Sequence, residues 1–201
     1  MGLKLVEAPQ AEPVTLAEAK AHLRLDSINA DDAYVTALVT AARQRVEAFL
    51  RRALITQKYE LTLDAFPWNK YLLYTNSFFD IPRPPLQSVE WVKYVDTAGV
   101  LTTLPAEQYI VDNSSDEIAR LALAWSQFWP ITRYTINAVT VRFVAGYGDA
   151  PAKVPQAIRQ GILIEISNLY EAREDVVVGQ SVNMIPASER LLWPYRALAV
   201  E

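Results

Sequence analysis

Two stretches of helical periodicity, separated by about a hundred residues of strand-like sequence, set the terms for this chain. From Asp31 or Asp32 the apolar positions Val35, Leu38, Val39, Ala42, Val46, Phe49 and Leu50 recur at intervals of three and four. That is one stripe of an amphipathic helix. The pattern returns only at Val154 to Arg173, where Ala157, Ile158, Ile162, Leu163, Ile166, Leu169 and Tyr170 cover a wide arc. A helix that apolar must be buried on most sides, and the front helices are the partners it is expected to find.

Thr15-Leu16-Ala17-Glu18 has the spacing of a capping box, which predicts a short helix from about Leu16 to Leu25 ahead of the long one. Pro155 suits a first helical turn. Gly161 lies inside the late helix, where glycine costs about 1 kcal/mol against alanine. Close approach of the Asp32 to Arg52 helix is the expected compensation. The opposite face of that helix carries Arg43, Glu47 and Arg51, which read as an exposed row of ion pairs four apart.

Between the helical stretches the period falls to two. Tyr59, Leu61 and Leu63 alternate with Lys58, Glu60, Thr62 and Asp64, the mark of a strand with one buried face. Val89 to Val95 predicts a second strand, Asp96-Thr97-Ala98-Gly99 a turn and Val100 to Leu104 its return. Tyr109 to Asp112 and Ala138 to Ala145 add more. Ile81-Pro82-Arg83-Pro84-Pro85 reads as an extended entry segment, because proline cannot sit in a central strand. Four to six short strands are expected, enough for a small antiparallel sheet or barrel.

The fold class is therefore α+β: a helical bundle (N-terminal helix pair plus late helix) with an inserted antiparallel β region and a C-terminal arm. The expected boundaries are 13–54 and 152–175 for the bundle, 55–151 for the insertion and 176–201 for the arm. Within the arm Val176 to Met184 reads as irregular, and Ala187 to Trp193 as a short helix ending at Pro194. A chain of 201 residues can bury about 70% of its unfolded surface. No stretch approaches the roughly 20 apolar residues that cross a bilayer, and Met1 to Glu12 has no apolar core of a secretory signal. A chain made in a cytoplasm, with no membrane partner, is the expectation.

Side chains that perform chemistry are scarce. With no cysteine there are no disulfides, thiolate metal sites or cysteine nucleophiles. The single histidine, His22, sits near the end of the first predicted helix, where a structural place beside the helix dipole suits it. No G-x-S-x-G elbow is present. Gly146-Tyr147-Gly148 lacks the rest of any phosphate-binding motif and reads as a turn. A carboxylate-dependent hydrolase would need Glu165 with Asp64 or Glu60, and 23 acidic residues supply such pairs by chance. A net charge of −4 argues against a general nucleic-acid binder, which needs surplus Lys and Arg. No catalytic residue, metal or cofactor is expected.

Aromatic residues gather at Trp125, Phe128, Trp129 and Tyr134, and again at Trp193 and Tyr195. Core packing of a long loop is the expectation for the first group. Partner contact suits the second, since Trp and Tyr are frequent interface anchors. A generic interaction module built on Trp193 and Tyr195 therefore stands beside the hydrolase as an alternative reading. The Pro82-Arg83-Pro84-Pro85 segment reads as scaffolding more than as a polyproline ligand.

An ordered set of short motifs points further. Pro13-Val14-Thr15-Leu16-Ala17-Glu18-Ala19-Lys20, the Asp31-Asp32 helix start, Arg52-Ala53-Leu54-Ile55-Thr56-Gln57, Pro82-Arg83-Pro84-Pro85-Leu86-Gln87-Ser88-Val89, Val141-Arg142-Phe143-Val144-Ala145-Gly146-Tyr147-Gly148 and Val154-Pro155-Gln156-Ala157-Ile158-Arg159-Gln160 follow one another. In this order they resemble the head-tail connector (adaptor, head-completion) proteins of tailed phages and prophages, over roughly Pro13 to Arg173. The resemblance implies a structural protein of the virion neck, held in the host cytoplasm before assembly. It would form a ring of about a dozen copies on the portal protein, with a stopper or tail-completion protein below. DNA would pass through the lumen without specific binding. The C-terminal segment would then reach the portal, with Trp193, Tyr195 and Arg196 as the contact residues and Arg43, Glu47 and Arg51 as a ring face.

Overall fold

The computed structural model describes residues 1–25, 29–67, 78–171 and 187–197. They form two compact units, one strand-rich (Met1–Ala8 and Thr56–Tyr147) and one helical (Pro9–Ile55 and Gly148–Ala197). Among the described residues no helix is long and apolar enough to cross a membrane.

In the helical unit, α1 (Leu16–Leu23) begins at the expected capping box. The Thr15 hydroxyl accepts from Glu18 N at 3.2 Å and the Glu18 carboxylate accepts from Thr15 N at 2.9 Å. The helix stops at Arg24, which adopts the left-handed conformation with φ 59° and turns the chain toward α2 (Asp32–Leu50). Lys20 ties the two together, donating to Asn29 Oδ1 at 2.8 Å and pairing with Asp32 Oδ1 at 2.7 Å. The stripe of α2 is buried as its period requires, with Val35, Val39, Ala42, Val46 and Leu50 in the core. It packs against α3 (Gln156–Glu171), whose Ile158, Ile162 and Ile166 are fully buried. Arg159 on α3 donates to Pro13 O at 3.0 Å and pairs with Glu18.

Gly161 permits a close approach, although to a different partner from the one its sequence position suggested. A Cβ there would lie 2.7 Å from Cδ2 of Leu192, on α4 (Ala187–Leu192), not against α2. Leu192 is buried, so α4 is seated on α3 through this contact. Residues 187–197 therefore join the helical unit, where a free arm was expected. Of that arm, Val176 to Met184 lies outside the described residues.

The strand-rich unit holds two antiparallel sheets. The first runs β1 (Gly2–Glu7), β2 (Gln57–Leu63), β8 (Val139–Ala145), β4 (Leu86–Val95), β5 (Leu101–Thr103). The second runs β3 (Phe78–Ile81), β7 (Ala119–Leu123), β6 (Tyr109–Asp112). Central β8 alternates as read, with Val139, Val141, Phe143 and Ala145 buried. Tyr59 on β2 pairs with Phe143 in register and stacks on it at 5.6 Å. On the opposite face Arg142 pairs with Glu60 and lies 5.1 Å from the Trp91 ring.

The eight strands exceed the four to six expected. Among the described residues β1, β3 and β7 are the strands that were not expected, each only four to six residues long, and pairing with a neighbour is what made strands of them. The Pro82–Pro85 segment is also not extended: Arg83 has φ 63° and bends the chain from β3 into β4.

Two outcomes test this packing. Gly161→Ala adds helix propensity of about 1 kcal/mol but overpacks against Leu192, so a net loss of about 1 to 2 kcal/mol is expected. In a Leu192→Ala background the same change should stabilise by about 1 kcal/mol, read by chemical denaturation of the four-member cycle. At the cap, the Thr15 backbone amide, the Thr15 hydroxyl and Arg159 hold the Glu18 carboxyl below its ordinary 4.5. A depressed folded value gives stability that is present above pH 4.5 and lost as pH falls through the folded value. Thr15→Ala should cost about 1 kcal/mol at neutral pH and raise the Glu18 midpoint in a carboxyl NMR titration.

Candidate functional site

The Arg43, Glu47, Arg51 row is not an exposed row. Arg43 and Glu47 are buried inside the helical unit, at 6% and 7% exposure, and only Arg51 faces solvent. Arg43 Nε donates to Glu12 Oε2 and its Nη1 to Glu47 Oε2, both at 2.7 Å. The other Glu47 oxygen accepts from Leu54 N at 3.0 Å, and Glu12 Oε1 accepts from Thr40 at 2.9 Å. The helical spacing was legible, but the segments that cover this face come from residues before and after the helix. A ring contact through this row is left to Arg51.

The other expected contact group is accessible. Trp193 is 60% exposed and Arg196 is exposed, while Tyr195 is half-buried. Past α4 a 3-10 turn, Trp193–Tyr195, ends the described helical unit. Here the Arg196 guanidinium lies 5.3 Å from the Phe49 ring and 5.4 Å from Trp193. The turn is fixed from behind, because Arg52 donates to Tyr195 O and Ala197 N donates to Leu50 O at 2.9 Å. The sequence predicted a short helix ending at Pro194 within a C-terminal arm. The structure gives a rigid aromatic-cationic tip, made by α2 and the 3-10 turn together.

The first aromatic cluster departs from expectation. Only Trp129 packs, stacked on Phe66 at 4.7 Å with the rings 5° apart. Trp125, Phe128 and Tyr134 are exposed, together with Ile131 and Ile136. The clue lay in the sequence: Ser126, Gln127, Pro130, Thr132 and Thr135 interrupt the apolar positions, so no period of two or 3.6 gathers them on one face.

Carboxylates proposed for hydrolysis are engaged elsewhere. Glu165 is buried and pairs with Arg45 at 3.0 Å, and the Ser188 hydroxyl stands 3.5 Å from its other oxygen, so it joins α2, α3 and α4. Glu60 pairs with Arg142, and Asp64 Oδ1 accepts from Asn137 N at 2.9 Å. His22 is exposed on α1. Gly146 and Gly148 have φ 126° and 143°, as a turn leaving β8 requires.

Shifted titrations likewise have structural causes. The Ser114 hydroxyl, then Arg120, draws Asp112 down to about 2. Hydrogen bonds that Lys58 donates to the Glu7 and Glu90 carboxylates raise its pKa, and burial followed by Glu107 raises that of Tyr109. These groups do not converge on one cleft, as a catalytic constellation would. Among the described residues no cluster of three His, Asp or Glu is placed to hold a metal ion.

Comparison with known proteins adds likenesses along the chain. Residues 13–90 match the family model of phage gp6-like head-tail connector proteins. Over that segment the chain is similar to head-tail connector proteins. Among solved structures, a chain from the neck of an empty GTA particle computed with C6 symmetry is 25% identical, with a TM-score of 0.80. The match covers 100% of this chain and 98% of that one. A chain from the virion of a native gene transfer agent particle gives 25% identity and a TM-score of 0.77 over the same shares. A third, from a native GTA neck computed with C12 symmetry, gives 23% and 0.71, and shows the fold. No curated protein matches the sequence. The connector family and the neck chains are structural components of phage-like particles, not enzymes.

The buried Arg43 and Glu47 pair predicts unequal costs along one helix. Glu47→Ala leaves Arg43 Nη1 and the Leu54 amide without their shared carboxylate, while Arg43 keeps Glu12, and should cost about 2 to 3 kcal/mol in urea denaturation, whereas Arg51→Ala should stay within roughly 0.5 kcal/mol.

Proposed function

We propose that this chain is the adaptor in the neck of a phage-like particle, acting by binding alone. Copies of it form a closed ring on the portal protein, extend the DNA channel and present a lower surface to a stopper or tail-completion protein. The observation that carries the reading is likeness along the full chain, not over a motif: one neck chain is matched over 100% of this sequence with a TM-score of 0.80. The connector family match over residues 13–90 supports it independently. The C6 and C12 symmetries of the neighbouring neck structures support a ring of about a dozen copies.

Physical chemistry is consistent with that role. A net charge of −4 suits a conduit through which DNA slides, since a basic lumen would retain phosphates. The Trp193, Tyr195 and Arg196 tip suits portal contact: its aromatic and guanidinium groups are the side chains that dominate interface energetics, and its backbone is already fixed.

Native mass spectrometry of the chain mixed with its portal should show a ring-sized complex; a chain that never associates with the portal would remove the reading. Deleting residues 187–201 would uncover Gly161 and Leu50, so point changes are the cleaner probe of the tip. Trp193→Ala is expected to weaken portal binding about tenfold or more without lowering the melting temperature. Unchanged affinity would take the portal contact away from this tip.

A further inference from the structure

The strand-rich unit exposes two apolar surfaces, and the strand order sets β5, which belongs to the first, and β1, which forms the second, at opposite edges of one sheet. The first is the loop 124–137 between β7 and β8. Trp125 is 93% exposed, Phe128 84%, and Ile131, Tyr134 and Ile136 are also exposed. Its backbone is nonetheless fixed. Trp129 is stacked on Phe66, Thr132 bridges to Asp96, Arg133 N donates to Val95 O at 3.0 Å, and Asn137 N donates to Asp64. The bridge to Asp96 joins the loop to the tip of the β4–β5 hairpin, where Val100 and Leu101 are exposed as well. The loop and the hairpin tip thus present their apolar side chains from a backbone already held in place.

The second surface is β1, which occupies the far edge in the order β1-β2-β8-β4-β5. All six of its residues are exposed, and Leu3, Leu5 and Val6 keep 37% to 46% of their surface in solvent. An edge strand also leaves one row of backbone N–H and C=O groups without a ladder partner. Apolar areas of this kind are unusual on a chain that works alone.

We infer that the occupant is a second copy of this chain: in the ring, the 124–137 loop and hairpin tip of one copy cover the β1 edge of the next. This inference rests on the ring proposed above and names its contact. A closed ring is a heterologous assembly, in which every subunit needs two different, complementary faces. Opposite edges of one sheet supply them, and head-to-tail docking covers both on every copy. A portal or stopper seated on one surface would leave the other bare. Charge selects in the same direction: Arg133 is the only charged residue in 124–137, which leaves little to attract phosphates and suits an apolar protein face.

The absence of cysteine makes a direct test clean. Rings are assembled on the portal from a Leu5→Cys/Phe128→Cys double variant and treated with a short bismaleimide reagent. A ladder of covalent multimers is expected, and a mixture of the two single variants should give heterodimers without homodimers. Rings that form but yield no ladder, homodimers of the Phe128→Cys chain, or cross-links from it to portal or stopper would each overturn the inference and leave the connector reading standing. If the wild-type chain forms no ring with the portal, the connector reading falls and this contact falls with it. As a second measurement, Trp125→Ser/Phe128→Ser should lower ring occupancy about tenfold with an unchanged melting temperature, because both residues are exposed. Unchanged occupancy would count against the loop.

Discussion

The mutual burial of α2 and α3 is the constraint on which the helical unit depends. Neither helix can hide its apolar residues alone, and the chain between them makes a separate strand-rich unit before it returns. The pairing is therefore long-range, and loop closure over that distance must be offset by contacts made at the end. The Arg43, Glu47 and Leu54 amide network lies on the flank of α2, and Glu12 reaches it from before α1. A buried charge cluster of this kind contributes little net stability, since desolvation opposes attraction. What it does provide is specificity, because Arg43 is satisfied only when Glu12, α2 and the 51–54 turn are all in place.

The same logic extends to the C-terminal residues. Leu192 occupies the space left by Gly161, Glu165 takes Arg45 and approaches Ser188, and Ala197 N closes on Leu50 O. Through these contacts a segment that is remote in sequence becomes part of the helical unit. Its outward side, Trp193 and Arg196 against Phe49, is then displayed on a rigid base. Stiffness matters at a surface that binds, because an ordered anchor loses less conformational entropy when a partner covers it.

The strand-rich unit follows a different rule. Its sheets are ordered by registered pairs such as Tyr59 with Phe143, and its most apolar loop is turned outward. In an enzyme, side chains of this size would line a cleft around reactive groups. Here Glu60, Asp64 and Asp112 are each engaged with a structural partner. That division leaves polar groups bound internally and apolar groups presented, which is consistent with the binding role proposed above.

By itself the sequence determined the elements whose pattern is local. The Thr15 and Glu18 capping box, the α2 stripe, the alternation in β2 and β8 and the β4–β5 hairpin all follow from periods and short-range hydrogen bonds, which need no knowledge of the rest of the chain. The absence of cysteine and the single histidine narrowed the chemistry in the same way, and the ordered motifs from Pro13 to Gln160 carried the connector resemblance. Tertiary structure alone decided which faces are covered. Arg43 and Glu47 carry a surface-like spacing but are buried by Glu12 and the 51–54 turn, while Trp125, Phe128 and Tyr134 carry core-like side chains but remain outside, since among the described residues no strand or helix covers them. β1 became a strand only through β2, and Gly161 found Leu192 instead of α2. Burial is a property of pairs of segments distant along the chain, and a periodicity read within one segment does not contain it.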